Sequence, residues 1–191
     1  MKKLILSLLV AAFVGGNTLS AQTITKNEDG KYSLSVGHVT LTVDAQKGGK
    51  IVSYRYDDKE ILSQTKIPNS FGSTFWTSPQ SEWNWPPVPE YDTKPFNAEV
   101  AGDKLILTGE KSKRFGYRVR KELTTDKKDN AILITYTIIN ESGETRKVAP
   151  WEISRVPNGG ILFFDAKEVT PANNMETMPF VYEKKAAWYT L

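Results

Sequence analysis

Residues 131–139 read AILITYTII, and alternation along an extended chain puts Ile132, Ile134, Tyr136 and Ile138 on one face and Leu133, Thr135, Thr137 and Ile139 on the other. β-branched and aromatic side chains suit a pleated surface, so the stretch predicts a strand. Because neither face is plainly polar, a central position in a sheet is expected.

Working outward, residues 140–144 (NESGE) turn the chain into 146–156, and Pro157-Asn158-Gly159-Gly160 turns it again into 161–164. Upstream, residues 115–123 place Tyr117, Val119 and Leu123 on one face and Arg118, Arg120 and Glu122 on the other, a strand with one wet side. Residues 96–100 and 104–108 flank Ala101-Gly102-Asp103 as a hairpin. Residues 32–36 and 39–43 alternate around Gly37-His38, as two strands or one bent strand, and 51–56 follow the break at 47–50 (KGGK). Residues 165–180 read as loop and 181–191 as a last strand. No capped helical periodicity occurs beyond the N-terminus, so the fold class predicted is all-β, an antiparallel β-sandwich of about ten short strands.

One stretch breaks the pattern. Residues 69–96, NSFGSTFWTSPQSEWNWPPVPEYDTKPF, carry Trp76, Trp83 and Trp85 among five prolines with no sustained alternation, and read as one long irregular loop. Disordered segments are poor in aromatics, so this loop is expected to be ordered and to carry the function.

The first residues have a secretory layout: Lys2 and Lys3, an apolar run over 4–14 too short to span a bilayer, then small and polar residues to Ala21. The expected domains are a signal peptide, 1–21, and a single β-sandwich domain, 22–191, with a periplasmic or secreted location. With no cysteine, disulfides and lipid attachment at cysteine are excluded. Removing Lys2 and Lys3 lowers the formal charge from +3 to +1, and the remaining cations are interleaved with acids. Nucleic acid and anionic membrane are therefore poor partners.

Three local patterns resemble one family. Gly48-Gly49-Lys50-Ile51 followed by Asn69, Gly72 and the tryptophan loop is similar to the opening of galactose-mutarotase-like proteins. Residues 136–140 (YTIIN) and 149–153 (APWEI) are similar to their central strands, and a secreted bacterial group of unknown function within that superfamily is the nearest likeness. The resemblance implies a β-supersandwich holding a sugar in a concave cleft. It covers only the first two thirds of that fold, so an incomplete, C-terminally truncated sandwich is expected. The family's paired histidines find no counterpart here, since the one histidine, His38, lies in an early turn, and the late glutamate base would fall beyond Leu191. Whether the chain is an enzyme is left open, because ring opening needs two positioned proton-transfer groups.

Tryptophan faces suit the axial C–H patch of a pyranose. The candidate sugar-binding residues are Asn69, Trp76, Trp83, Trp85, Tyr91, Trp151, Glu152 and Arg155, with Glu152 a weak candidate for catalysis. The aromatics are also readable as core plugging the sandwich mouth, or as a protein interface. Glu152 and Arg155 are three apart, so a regular strand turns them to opposite sides and only a bulge near Pro150 or Pro157 would bring them into one cleft. No Ser-His-Asp set, metal cluster or phosphate-cradling loop is found, so no cofactor and no metal are expected. The leading reading is a carbohydrate-binding protein with a saccharide ligand and no membrane span. An epimerase or glycan-processing enzyme of the same fold, and an envelope structural protein, are the alternatives, and the oligomeric state is not legible.

Overall fold

Alternation at 32–36 and 39–43 produces two strands rather than one bent strand: β2 (Tyr32–Val36) and β3 (Val39–Asp44) pair through the Gly37-His38 turn, with Leu34 opposite Leu41. The computed structural model describes residues 23–65, 67, 70–166 and 180–190, so residues 1–21, expected to be a signal peptide, together with Asn69 and most of the expected 165–180 loop, lie outside the described residues. Before β2 runs β1 (Ile24–Lys26), and after β3 come β4 (Lys50–Tyr56), β5 (Lys59–Glu60) and β6 (Ser73–Ser78). Further along are β7 (Asn97–Ala101), β8 (Lys104–Thr108), β9 (Tyr117–Asp126), β10 (Ala131–Asn140) and β11 (Ala149–Ser154). The chain ends in β12 (Ile161–Asp165), β13 (Val181–Glu183) and β14 (Ala186–Thr190), so the single last strand expected over 181–191 is a hairpin turned at Lys184-Lys185.

Three antiparallel sheets result. The first runs β1-β2-β3-β4-β6-β11 with β5 on β4, the second β10-β9-β8-β7, and the third β12-β14-β13. The first two face each other, burying Leu34, Leu41, Val43 and Phe75 from one side against Leu105, Leu107, Val119 and Leu123 from the other. Burying side chains of that size stabilises by about 1.5–3 kcal/mol each. The all-β antiparallel sandwich is therefore the architecture.

Two expectations are corrected. The 131–139 strand is not central: among the described residues β10 pairs only with β9 and forms a sheet edge, its inner row half-buried and Leu133 on the outer row 50% exposed. Its apolar character on both faces reflects strand-forming residue types rather than two covering layers. The 69–96 stretch is not one irregular loop, because it contains β6, the one-turn 3-10 helix Gln80–Glu82 and the short helix α1 (Pro89–Asp92). STFWTS lacks alternation because both faces of β6 are covered, by the opposite sheet on one side and by residues 79–96 on the other.

The Gly48-Gly49 turn positions that covering segment. Gly48 has φ +65°, its N–H donates to the Lys94 carbonyl at 2.9 Å, and a Cβ there would stand 2.3 Å from the Asp92 carbonyl oxygen. Only glycine admits so close a backbone approach.

Candidate functional site

Register sets the aromatic cluster. Trp76 on β6 lies directly across from Trp151 on β11, and their rings meet edge-on at 5.6 Å. Both sit on the outer face, since Phe75 and Glu152, their neighbours in sequence, turn inward. The segment 79–96 folds back over this face as a flap. Trp83 packs 5.7 Å from Trp76 and 6.3 Å from Trp151, and its Nε1–H donates to the Thr77 carbonyl at 2.9 Å. Trp83 is only 3% exposed, and Tyr91 is buried likewise. Burial drives the Tyr91 hydroxyl's pKa upward, so it stays neutral. Arg114 donates to the Glu82 carbonyl at 2.8 Å and Lys94 pairs with both Glu90 and Glu110, which ties the flap to the β8–β9 connection.

Trp85 is the exception. It is 70% exposed, standing 6.1 Å from Trp76 at the mouth of a recess of about 420 Å³. The recess is lined by the apolar side chains of Trp76, Trp85, Pro86 and Pro87 together with the polar Asp92, Thr93 and Arg155. Asp92 Oδ1 accepts from Trp76 Nε1 at 2.9 Å. Arg155 donates through Nη1 to Thr74 Oγ1 at 2.9 Å, with its guanidinium 5.9 Å from the Trp76 ring centre. Lys50, 5% exposed, carries its ammonium 4.2 Å from the Phe71 ring centre. Its pKa is held below the usual lysine value by burial first and then by the Arg155 charge, with Asp92 pulling the other way.

Glu152 is elsewhere. It faces inward at the open margin between the sheets, where its carboxylate accepts from Ser73 Oγ, and Ser73 in turn lies 2.9 Å from Ser154 Oγ. Close by, Tyr136 stacks on Phe75 at 4.6 Å, and burial followed by the Glu152 charge pushes its phenol pKa upward. No bulge brings Glu152 and Arg155 together, so the one-cleft arrangement of this pair is not realised.

The inner cluster also holds a residue that the sequence reading passed over. Lys121 is directly opposite Tyr136 in register and buried, and its ammonium donates to the Gly48 and Gly49 carbonyls at 2.8 and 2.9 Å. The rings of Phe96, Tyr136 and Phe75 surround it at 5.3, 5.8 and 5.9 Å. Burial pushes its pKa down to about 8 against the opposing pull of Glu152 and Asp92. The signal was available: residue 121 shares parity with Tyr117, Val119 and Leu123, the apolar row of β9.

His38 sits in the β2–β3 turn, with Nδ1 2.7 Å from Asp57 Oδ1, and takes no part in the recess. Among the described residues no cluster of three or more His, Cys, Asp and Glu side chains is arranged to hold a metal ion, and no helix is long and apolar enough to cross a membrane.

No family model and no curated protein matches the chain. Among solved structures the chain is similar to a 4-alpha-glucanotransferase from Thermococcus litoralis, with a TM-score of 0.41 and 13% identity over 74% of this chain. The match spans 28% of that protein's length, and a likeness this weak carries no argument about activity.

Proposed function

We propose that this chain is a carbohydrate-binding protein, secreted or periplasmic after removal of residues 1–21, that holds a saccharide in the recess beneath Trp85. The observation that carries this reading is the placement of an exposed indole beside a concave, half-polar recess. An aromatic surface lining a recess that also carries convergent polar groups is the arrangement that pyranose rings favour. Trp85 and the rim of Trp76 supply the stacking surface, and Asp92, Thr93 and Arg155 supply partners for hydroxyl groups. Trp83, Tyr91 and Trp151 act beneath, holding the platform rigid so that little ordering entropy is spent on binding. Asn69 belongs to the same segment and is included in the proposal through the family resemblance.

Titration of the mature protein with a panel of oligosaccharides, followed by calorimetry and tryptophan fluorescence, tests the reading. At least one glycan is expected to bind, with Trp85→Ala weakening it about tenfold or more while leaving the melting temperature unchanged. A panel that yields no binding, or binding indifferent to Trp85→Ala, refutes it. Turnover of a bound sugar would favour the enzymatic alternative. Mass analysis of the exported chain, expected to begin at Gln22, tests the address.

A further inference from the structure

Resting on that reading, we infer that the recess selects a saccharide bearing a carboxylate or sulfate group, with Arg155 and Lys50 as the anion-recognising pair. Two cations serve this side of the first sheet. Arg155 lines the recess itself, and Lys50 lies on β4, the strand paired to β6 through Ile51 and Ser73. Its ammonium rests over Phe71, the residue next to Ser70 of the recess wall.

Among the described residues neither cation has a carboxylate within ion-pair distance. Among the described residues the single acid on the recess is Asp92, which is already engaged by the Trp76 indole N–H. Lys50 does not line the recess, but counted with Arg155 on the same side of the sheet it leaves two positive charges against the one negative charge of Asp92. Arg155 commits Nη1 to Thr74, and among the described residues its Nη2 and Nε make no hydrogen bond. A planar pair of N–H groups is the geometry that grips a carboxylate or sulfate side-on.

An arriving anion supplies the counter-charge that, among the described residues, neither cation has, and a neutral sugar does not. Asp92 has the opposite effect: it repels a second anion, which limits the site to one charged group, oriented toward Arg155 and away from the Trp76 edge.

The test compares oligosaccharides matched in linkage: a uronate oligomer with its carboxyl-reduced form, and a sulfated oligomer with its desulfated form, each titrated into the mature protein at low and at moderate salt. The acidic member of at least one pair is expected to bind about tenfold or more tightly, with a preference that shrinks as salt rises. Which pair shows it tells carboxylate from sulfate. Lys50→Met, checked for an unchanged melting temperature, should remove most of that preference while retaining affinity for the neutral member, whereas Arg155→Gln should abolish the preference and weaken the neutral member as well. If neutral and acidic members bind alike, with no salt dependence, the charge inference fails and the saccharide reading stands. If no oligosaccharide binds at all, both fail.

Discussion

Lys121 shows how one buried charge is accommodated in this sandwich. Its ammonium exchanges water for two backbone carbonyls and three aromatic faces, which together offset part of the desolvation cost. With a folded pKa of about 8 against an ordinary lysine value in the unfolded chain, the unfolded state binds more protons than the folded one between those values. Stability is therefore expected to rise as pH climbs from about 8 toward 10. Urea denaturation across that range should show the rise in the wild type and lose it in Lys121→Met. The same substitution leaves the Gly48 and Gly49 carbonyls without their donor, so it should cost about 2 kcal/mol at neutral pH. A flat difference between the two proteins across the range would mean that Lys121 is not enclosed as described. The tryptophans separate at the same scale. Trp83→Ala is expected to destabilise by about 3–5 kcal/mol, since it empties a buried site and orphans the Thr77 carbonyl. Trp85→Ala should change stability by no more than about 0.5 kcal/mol. Equal melting temperatures for the two variants would contradict the division into platform and support.

At the scale of elements, the flap depends on β6 and on the Gly48-Gly49 turn more than on its own short helices. Neither Gln80–Glu82 nor α1 is long enough to be stable alone, and neither has a side-chain cap. Both are held by what lies beneath: Trp76, Trp151 and the close approach at Gly48. Gly48→Ala should thus be severe, costing about 3 kcal/mol or more, because the added carbon meets the Asp92 backbone and the turn cannot move without lifting the flap. Gly102→Ala offers the control. Its φ of +61° resembles that of Gly48 but nothing lies within 4 Å, so only the conformational strain of about 1 kcal/mol is expected. Thermal melts of the two variants, followed by total tryptophan fluorescence, to which the indole cluster under the flap contributes, would check both values. The strand pattern of β2, β3, β8 and β9 was legible because each has one buried and one wetter face. β6 was not, since its second cover comes from a segment whose own conformation is fixed only after the strand is in place.

The whole molecule is a two-sheet sandwich with an added three-stranded sheet, and its polar and apolar surfaces are unevenly placed. Ile161, Phe163 and Val181 stand exposed on the third sheet, each a large side chain in water. Such surface favours self-association at high concentration. Phe163→Ser combined with Ile161→Thr should therefore lower light scattering in concentrated solution and leave the melting temperature of the main sandwich unchanged. Scattering that does not respond would place any association elsewhere.

The period-two pattern of residues 32–36, 39–43, 104–108 and 117–123 determined the strands, the sandwich class and the inward row of each sheet, because a half-buried strand writes its two faces locally into adjacent residues. The concentration of indoles and prolines marked residues 69–96 as the segment to watch. Only the tertiary structure decided that Trp85 stands in solvent while Trp83 does not, that Arg155 joins the recess while Glu152 turns inward, that β10 lies at an edge, and that Lys121 is enclosed. Each of these depends on pairing between strands far apart in sequence, such as Trp76 with Trp151 and Lys121 with the Gly48-Gly49 turn. Burial there is set by what arrives from a distant part of the chain.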